Sequence, residues 1–417
     1  MQNIITERTN LFEPNDYISF YVEIEGKVSA ENLANVIKAA YNANEATTSK
    51  VVLKSDGAAC YEKMTYSGCK VEILQEDWQE IVKANEKEPF KLENGELVRS
   101  FVIPSFKKTA LLIMAHHLSG DGKAIVYFIE SVMKALSGEE LEYRPLTLLT
   151  SQSFPQKEKL PFITKLYTVF CNRKWQKAGK SAFSWADYYN IHNHYWKIYT
   201  SSIQCKTLSK AETARIIENA GQAGVSVNSY IIAAFLQADR NNRVVGIPVS
   251  VRESTNKSMT NLTSGIRIIH RYSEEYSFSE NAKIIHKKVS EELKKHRWFV
   301  LQFLSKLSPV LIDAVLLNSH HCYENSFIAK VGKIMGYTGD KTSDIGITNL
   351  TVIDIPTIYS DFKIEKVVFV PPAVSYANNI IGVSTINGEM TLTYHGMNED
   401  KVSKKEFFSR GIINLIS

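Results

Sequence analysis

The stretch LLIMAHHLSGDGKAIVYFIESVMKAL, residues 111–136, constrains the chain more than any other. An apolar run of strand length leads into two adjacent histidines and a Gly-Asp-Gly turn, and the apolar residues beyond fall at 125, 128, 129, 132, 133 and 136. That spacing fits one helical stripe, so the segment reads as strand, turn and helix, with His116, His117 and Asp121 between the two regular elements.

The same alternation runs through the rest of the chain. YISFYVEIEG is a strand by its aromatic and β-branched content, and Leu33, Val36, Ile37 and Ala40 follow at helical spacing behind Ser29, an N-cap candidate. SKVVLKSDGAACYEKM predicts a hairpin around Asp56-Gly57, a lysine- and glutamate-rich helix follows near Trp78, and LVRSFVIPSFKKTALLIMAHH supplies two strands joined at a polar turn. Further on, Ser209 and Glu212 form an S-x-x-E capping box at a helix that Gly221 or Gly224 can end, and Asn228 is a cap for the next helix. Strands at RVVGIPVSVR and before His270 come next, then a helix after Ser279 carrying Ile284, Ile285, Val289 and Leu293. Near the end, IIGVSTINGEMTLTYHG predicts a hairpin at Asn387-Gly388.

A chain of 417 residues exceeds what one hydrophobic core usually supports, so two packed lobes are expected. Between about Arg144 and Ser184 the periodicity fails, and the connection between lobes is placed there, with FITKLYTVF as a short packed helix. The lobes are thus 1–180 and 181–417, and the fold class is α/β (α+β), each lobe a mixed sheet covered by helices.

A net charge of +5 from nearly balanced acids and bases is too mild to argue for a nucleic-acid binder. The cluster CNRKWQKAGK mixes lysine with aromatics, as a single-strand binder would, but one such run is more often a solvated face; it is alternatively a contact for coenzyme A phosphates. Cys60, Cys69, Cys171, Cys205 and Cys322 are odd in number and lack C-x-x-C spacing, which points to reduced thiols and a cytoplasmic setting. The opening MQNIITERTNLFEP lacks the basic start, apolar stretch and small-residue site of a secretory signal, and no apolar run approaches the roughly 20 residues of a membrane span.

The spacing H-H-x-x-x-D-G, here His116, His117, Leu118, Ser119, Gly120, Asp121 and Gly122, resembles that of the condensation-domain and chloramphenicol-acetyltransferase-like superfamily of acyltransferases. GIPVSVREST followed by TNL is similar to the family's proline-to-arginine strand and downstream asparagine, and VSVNSYIIAAFLQA to its second-lobe helix entry. GITNLTVIDI is similar to a segment ending S-N-L-G, with Thr351 where glycine is usual. The tryptophan-bearing D-F-G-W-G loop has no counterpart beyond DIGIT at Asp344. The resemblance implies two chloramphenicol-acetyltransferase-like lobes with a channel between them, His117 as catalytic base, His116 as its packing or hydrogen-bonding neighbour, and Asp121 turned away from substrate onto Arg252 of the other lobe in a bidentate pair.

Elementary chemistry supports that assignment. An imidazole with an unperturbed pKa of about 6.5 is largely neutral at neutral pH and can take the proton of a hydroxyl or amine attacking a carbonyl. Gly120 and Gly122 are expected to adopt backbone angles closed to other residues and to leave room for a reactant. Candidate oxyanion donors are the amides near Gly122 and the side chain of Asn349. The expected reaction is direct acyl transfer from a thioester to an alcohol or amine. The chain has no G-G-x-S carrier segment, so the thioester arrives as acyl-CoA or on the phosphopantetheine of a separate acyl or peptidyl carrier protein, with no permanently bound cofactor. A monomer is expected. The alternative is a catalytically inactive scaffold that binds a carrier protein or small molecule in the same cleft.

Other classes fit less well. Adjacent histidines on a turn rarely face one metal, so no metal site is expected; His192 and His194 in NIHNHYW are read as surface or interface groups, and the pair His320 and His321 lacks the following aspartate and glycine. No phosphate-binding G-x-x-x-x-G-K-[ST] loop, G-x-G-x-x-G turn or G-x-S-x-G elbow occurs.

Overall fold

The strand Thr109–His116 is buried at every position, as its unbroken apolar run requires of a central strand covered on both faces. A computed structural model describes the chain except residues 106–107, 151, 156–158, 180–181, 338–343, 378 and 398–400. In it Thr109–His116 lies antiparallel between Tyr17–Glu25 and Val98–Pro104. The full sheet runs Ile358–Tyr359, Phe362–Val370, Tyr17–Glu25, Thr109–His116, Val98–Pro104, Lys70–Ile73, and its last pair is parallel. Helices Ala30–Asn42 and Gly122–Leu136 pack together with it, the first capped by Ser29. The hairpin at Asp56-Gly57 forms as expected and, joined by Gln2–Asn3, makes a separate small sheet.

A second six-stranded sheet runs Thr263–Ile269, Val244–Ser250, Ile345–Val352, Asn379–Ile386, Glu389–Met397, Ser201–Thr207. Ile345–Val352 is parallel to both neighbours, and the other pairs are antiparallel. Its core includes residues of helices Val227–Ala238, Phe278–His296 and Lys401–Ile416. The Asn387-Gly388 hairpin has both turn residues at positive φ, 52° and 81°, the geometry a tight two-residue hairpin demands. The Ser209/Glu212 capping box is present, and Gly224 follows the helix end at φ 67°. The next helix is capped by Ser226 and not by Asn228, because the side chain of Ser226 reaches the Ser229 amide.

Two mixed sheets with helical covers make the two-lobed α+β architecture, but sheet membership does not divide at residues 180 and 181. The strand Phe362–Val370 leaves the second half of the sequence and pairs antiparallel with Tyr17–Glu25 in the first sheet, and Asn379–Ile386 returns to the second. Helix Pro309–Ser319 joins the first core as well, and its Asp313 accepts two hydrogen bonds from Arg8 while buried. Both segments are apolar on most sides, so their local pattern demands burial without saying in which core. The stretch read as a connection holds one sizeable helix, Phe162–Ala178, and a second, Trp185–Ile198, follows directly after it. The first is longer than FITKLYTVF suggests; its periodicity is obscured because apolar residues lie on both its buried and its exposed faces. The second docks on the first lobe through Tyr188, whose hydroxyl donates to the Phe90 carbonyl at 3.0 Å.

All five cysteines are free thiols. Among the described residues no single helix is long and apolar enough to cross a membrane.

Candidate active site

The turn that carries the histidines is fastened from several sides. The His117 amide donates to the Asp16 carbonyl at 3.0 Å, the Tyr61 hydroxyl to the Leu118 carbonyl at 2.7 Å, and the Ser119 hydroxyl to the His116 carbonyl at 2.8 Å. A short 3-10 turn, His117–Ser119, links the central strand to helix Gly122–Leu136. Gly120 sits at φ 152°, and a Cβ there would stand 2.5 Å from the Cβ of Ala124, so glycine is required on both counts. Gly122 differs from the expectation. It is the first residue of the helix without a positive φ, and its missing Cβ leaves space that Leu350 fills, 2.8 Å from where that atom would be.

His116 is fully buried against Tyr17 and Phe90. Its Nδ1 accepts the Leu118 amide at 3.2 Å, capping the turn, so in the neutral ring the proton is on Nε2. Burial pushes its pKa down to about 3, with smaller contributions from His117, Arg99 and His192. His117, one residue on, retains partial exposure. Burial lowers its pKa below 6.5, while the Asp121 carboxylate and a contact with its own backbone act in the opposite direction. Its Nδ1 is buried and bonds to no other residue. The ring is therefore neutral at pH 7.

Asp121 faces the other lobe. Its Oδ1 caps helix Gly122–Leu136 through the Ala124 amide at 2.9 Å; its Oδ2 accepts from the Leu262 amide at 2.8 Å and from Arg252 Nη2 at 3.0 Å. The pair with Arg252 is buried and single-pronged, not bidentate, because Asp121's Oδ1 is committed to the helix. The remaining Nη donors of Arg252 go to the carbonyls of Asn256, Ser258 and Thr260, so one guanidinium holds the loop after Val244–Ser250 against the histidine turn. A second tie runs beside it: Glu130 of the same helix accepts Lys257 at 2.9 and 3.0 Å.

Asn349 lies half-buried on Ile345–Val352, next to the Leu350 that fills the space at Gly122. Its Oδ1 accepts the Thr351 amide at 2.7 Å, and Thr351 sits at φ 62°, a left-handed conformation that a β-branched residue rarely adopts. The glycine usual at this position in the resembled family would relieve that strain. Asp344 of DIGIT accepts the amides of Arg243 and Val244, which ties the start of its strand to the neighbouring one.

Several contributors were invisible in the sequence: the Asp16 carbonyl, the Leu262 amide, and the carbonyls that hold Arg252. They act through main-chain atoms, which carry no residue identity. Lys257 and Glu130 are ordinary surface types whose meeting depends on the lobes being in contact. His192 is buried, contrary to the surface or interface expectation, with Nε2 at 3.2 Å from the Glu86 carbonyl and its pKa lowered to about 4 chiefly by burial. The Glu86 carboxylate in turn lies 3.2 Å from His395 of the second sheet. Among the described residues no three or more His, Cys, Asp or Glu side chains are grouped to hold a metal ion.

A helix-covered pair of mixed sheets, joined by a histidine turn that an aspartate locks to the opposite lobe, has the layout of a condensation-domain fold. By sequence, no family model matches the chain and no curated protein matches it. By structure, the chain is similar over 99% of its length to 93% of TRI3 trichothecene 15-O-acetyltransferase from Fusarium sporotrichioides, with a TM-score of 0.63 and 12% identity. It is similar over 99% of its length to 92% of the first condensation domain of the calcium-dependent antibiotic synthetase, TM-score 0.62 and 12% identity. Polyketide synthase associated protein 5 from Mycobacterium tuberculosis matches 100% of this chain over 97% of its own, with a TM-score of 0.59 and 12% identity. The chain has the fold these proteins share.

Proposed function

We propose that the protein is an acyltransferase that moves an acyl group from a thioester, acyl-CoA or acyl carrier protein, to an alcohol or amine. The observation that carries this is His117: a neutral, partly exposed imidazole on a turn fixed across the lobe junction. With Nδ1 buried, Nε2 is the nitrogen left to serve a reactant. It takes the proton of the acceptor's hydroxyl or amine as that group attacks the thioester carbonyl. The tetrahedral intermediate then collapses, the C–S bond breaks, and the thiolate leaves with the proton returned by the imidazolium. No covalent enzyme intermediate is needed. Charge on the oxyanion falls to backbone amides near Gly122 or to the Asn349 carboxamide, whose Oδ1 is already occupied and whose nitrogen is the donor. Asp121, Arg252 and His116 position the base without touching substrate.

The test is thiol release by the purified protein with a series of acyl-CoA donors and loaded carrier proteins against alcohol and amine acceptors. Release that disappears in His117→Ala and is indifferent to chelators is the expected result. No release with any donor, together with tight carrier-protein binding, would instead assign an inactive scaffold.

A further inference from the structure

Helix Phe162–Ala178 is turned so that its apolar side faces outward. Cys171 and Trp175 are buried in the first core, and Asn172 clamps the helix to the Lys306–Ser308 corner with two hydrogen bonds of 2.8 Å. On the opposite side Phe162 is 72% exposed, Ile163 80%, Leu166 54%, Val169 45% and Phe170 56%. These positions follow the i, i+1, i+4, i+7, i+8 pattern, one continuous stripe of two turns. A soluble surface scatters such residues singly; a contiguous stripe marks contact with something apolar.

Charge continues the stripe. Arg173 and Lys177 fall on the same face one and two turns further, with Lys165 and Lys174 along its flanks, all exposed. From Lys159 to Ala186 the sequence contains no Asp or Glu. The second helix of this surface, Ser326–Met335, touches the first through Phe170 and Phe327 and contributes exposed Lys330, Lys333 and Ile334 without an acidic residue. Lys174 Nζ stands 4.6 Å from the Phe327 ring centre, so cation and aromatic share one surface. The nearest acids in sequence, Glu158, Asp187 and Glu324, lie outside the two helices.

We propose that this face docks on an anionic phospholipid bilayer, with the apolar stripe at the boundary between headgroups and acyl chains and the lysines and arginine against the headgroups. An exposed helical face with apolar residues on one part, whose own charged residues are all cations, has the chemistry of an interfacial helix. The contact is independent of the transferase reading, since it uses none of the residues around His117.

Co-sedimentation of the full chain with vesicles tests it. Binding is expected to vesicles of mixed phosphatidylglycerol and phosphatidylcholine, with none to phosphatidylcholine alone, and to weaken as salt is raised. Arg173→Gln with Lys177→Gln should lower partitioning about 30-fold, the equivalent of ~1 kcal/mol per cation. Leu166→Glu with Phe170→Glu should abolish it, while the thermal unfolding curve stays in place because these side chains are exposed. His117→Ala should bind vesicles unchanged, which separates this contact from the chemistry. Failure to bind the anionic vesicles, or binding that neither pair of substitutions alters, overturns the proposal. So does self-association, or binding of an acidic carrier protein, that the same substitutions abolish while vesicles are ignored.

Discussion

Asp121 Oδ2 lies 3.0 Å from Arg252 Nη2, and both side chains are almost completely buried. One residue caps the helix that follows the histidines; the other gathers three carbonyls of the opposite lobe. Removing either partner strands a buried charge. Arg252→Gln is expected to destabilise by about 3 kcal/mol, Asp121→Asn by a comparable amount, and the pair together by clearly less than the sum. Arg252→Lys should not rescue, since an ammonium cannot reach the carboxylate and three carbonyls in one plane. Urea midpoints measure all four; strict additivity would sink the coupling.

The two adjacent histidines should separate by phenotype. His117→Ala is expected to lose at least ~10²-fold in thiol release with little change in stability, as loss of a general base predicts. His116→Ala removes a buried ring and the cap on the Leu118 amide and should cost about 3 kcal/mol in unfolding free energy while the folded fraction remains active. Equal loss of activity per folded molecule in both variants would contradict the assignment.

Because burial lowers the pKa of His117 below 6.5, its base form is already the major one at pH 6.5. The rate of acyl transfer at low substrate should stay level down from pH 8 and fall only below pH 6.5, with no loss on the alkaline side from this group. A rate that is still rising through pH 7.5 would require another base.

Stability should peak on the acid side of neutrality. Glu7 is raised to about 8 and Glu13 to about 7, both chiefly by burial. Each holds a proton when folded, a contribution complete below 4.5 and lost as pH climbs through those values. His116 at about 3, and His192 and His320 at about 4, are lowered chiefly by burial and take up protons on unfolding; their contribution is complete above 6.5 and is lost as pH falls towards 4 and 3. The two sets oppose each other between pH 4.5 and 6.5, where a broad maximum in urea midpoint is expected. A maximum above pH 8 would show that these groups are not buried as described.

Thr351→Gly is expected to raise stability by about 1 kcal/mol, since it removes a β-branched residue from positive φ at the cost of a more flexible unfolded chain. At the turn, Gly120→Ala should be far more damaging than Gly122→Ala. The first meets a fixed Cβ and a disallowed φ, and the second meets only the movable end of Leu350. Melting temperatures of the three variants check the order.

What the sequence determined by itself is local. Alternation and helical spacing placed the strands and helices around His116 and His117, the capping boxes and hairpins are spelled by neighbouring residues, and H-H-x-x-x-D-G singled out the turn, while Arg252 as its partner was implied by the family resemblance. The assignment of Phe362–Val370 and Pro309–Ser319 to the first lobe was decided only by the tertiary structure, as were the single-pronged geometry at Arg252 and the outward stripe on Phe162–Ala178. A hydrophobic pattern states that a face must be buried or covered, never by which partner. That choice depends on residues distant in sequence and on main-chain donors and acceptors that are the same for every residue type.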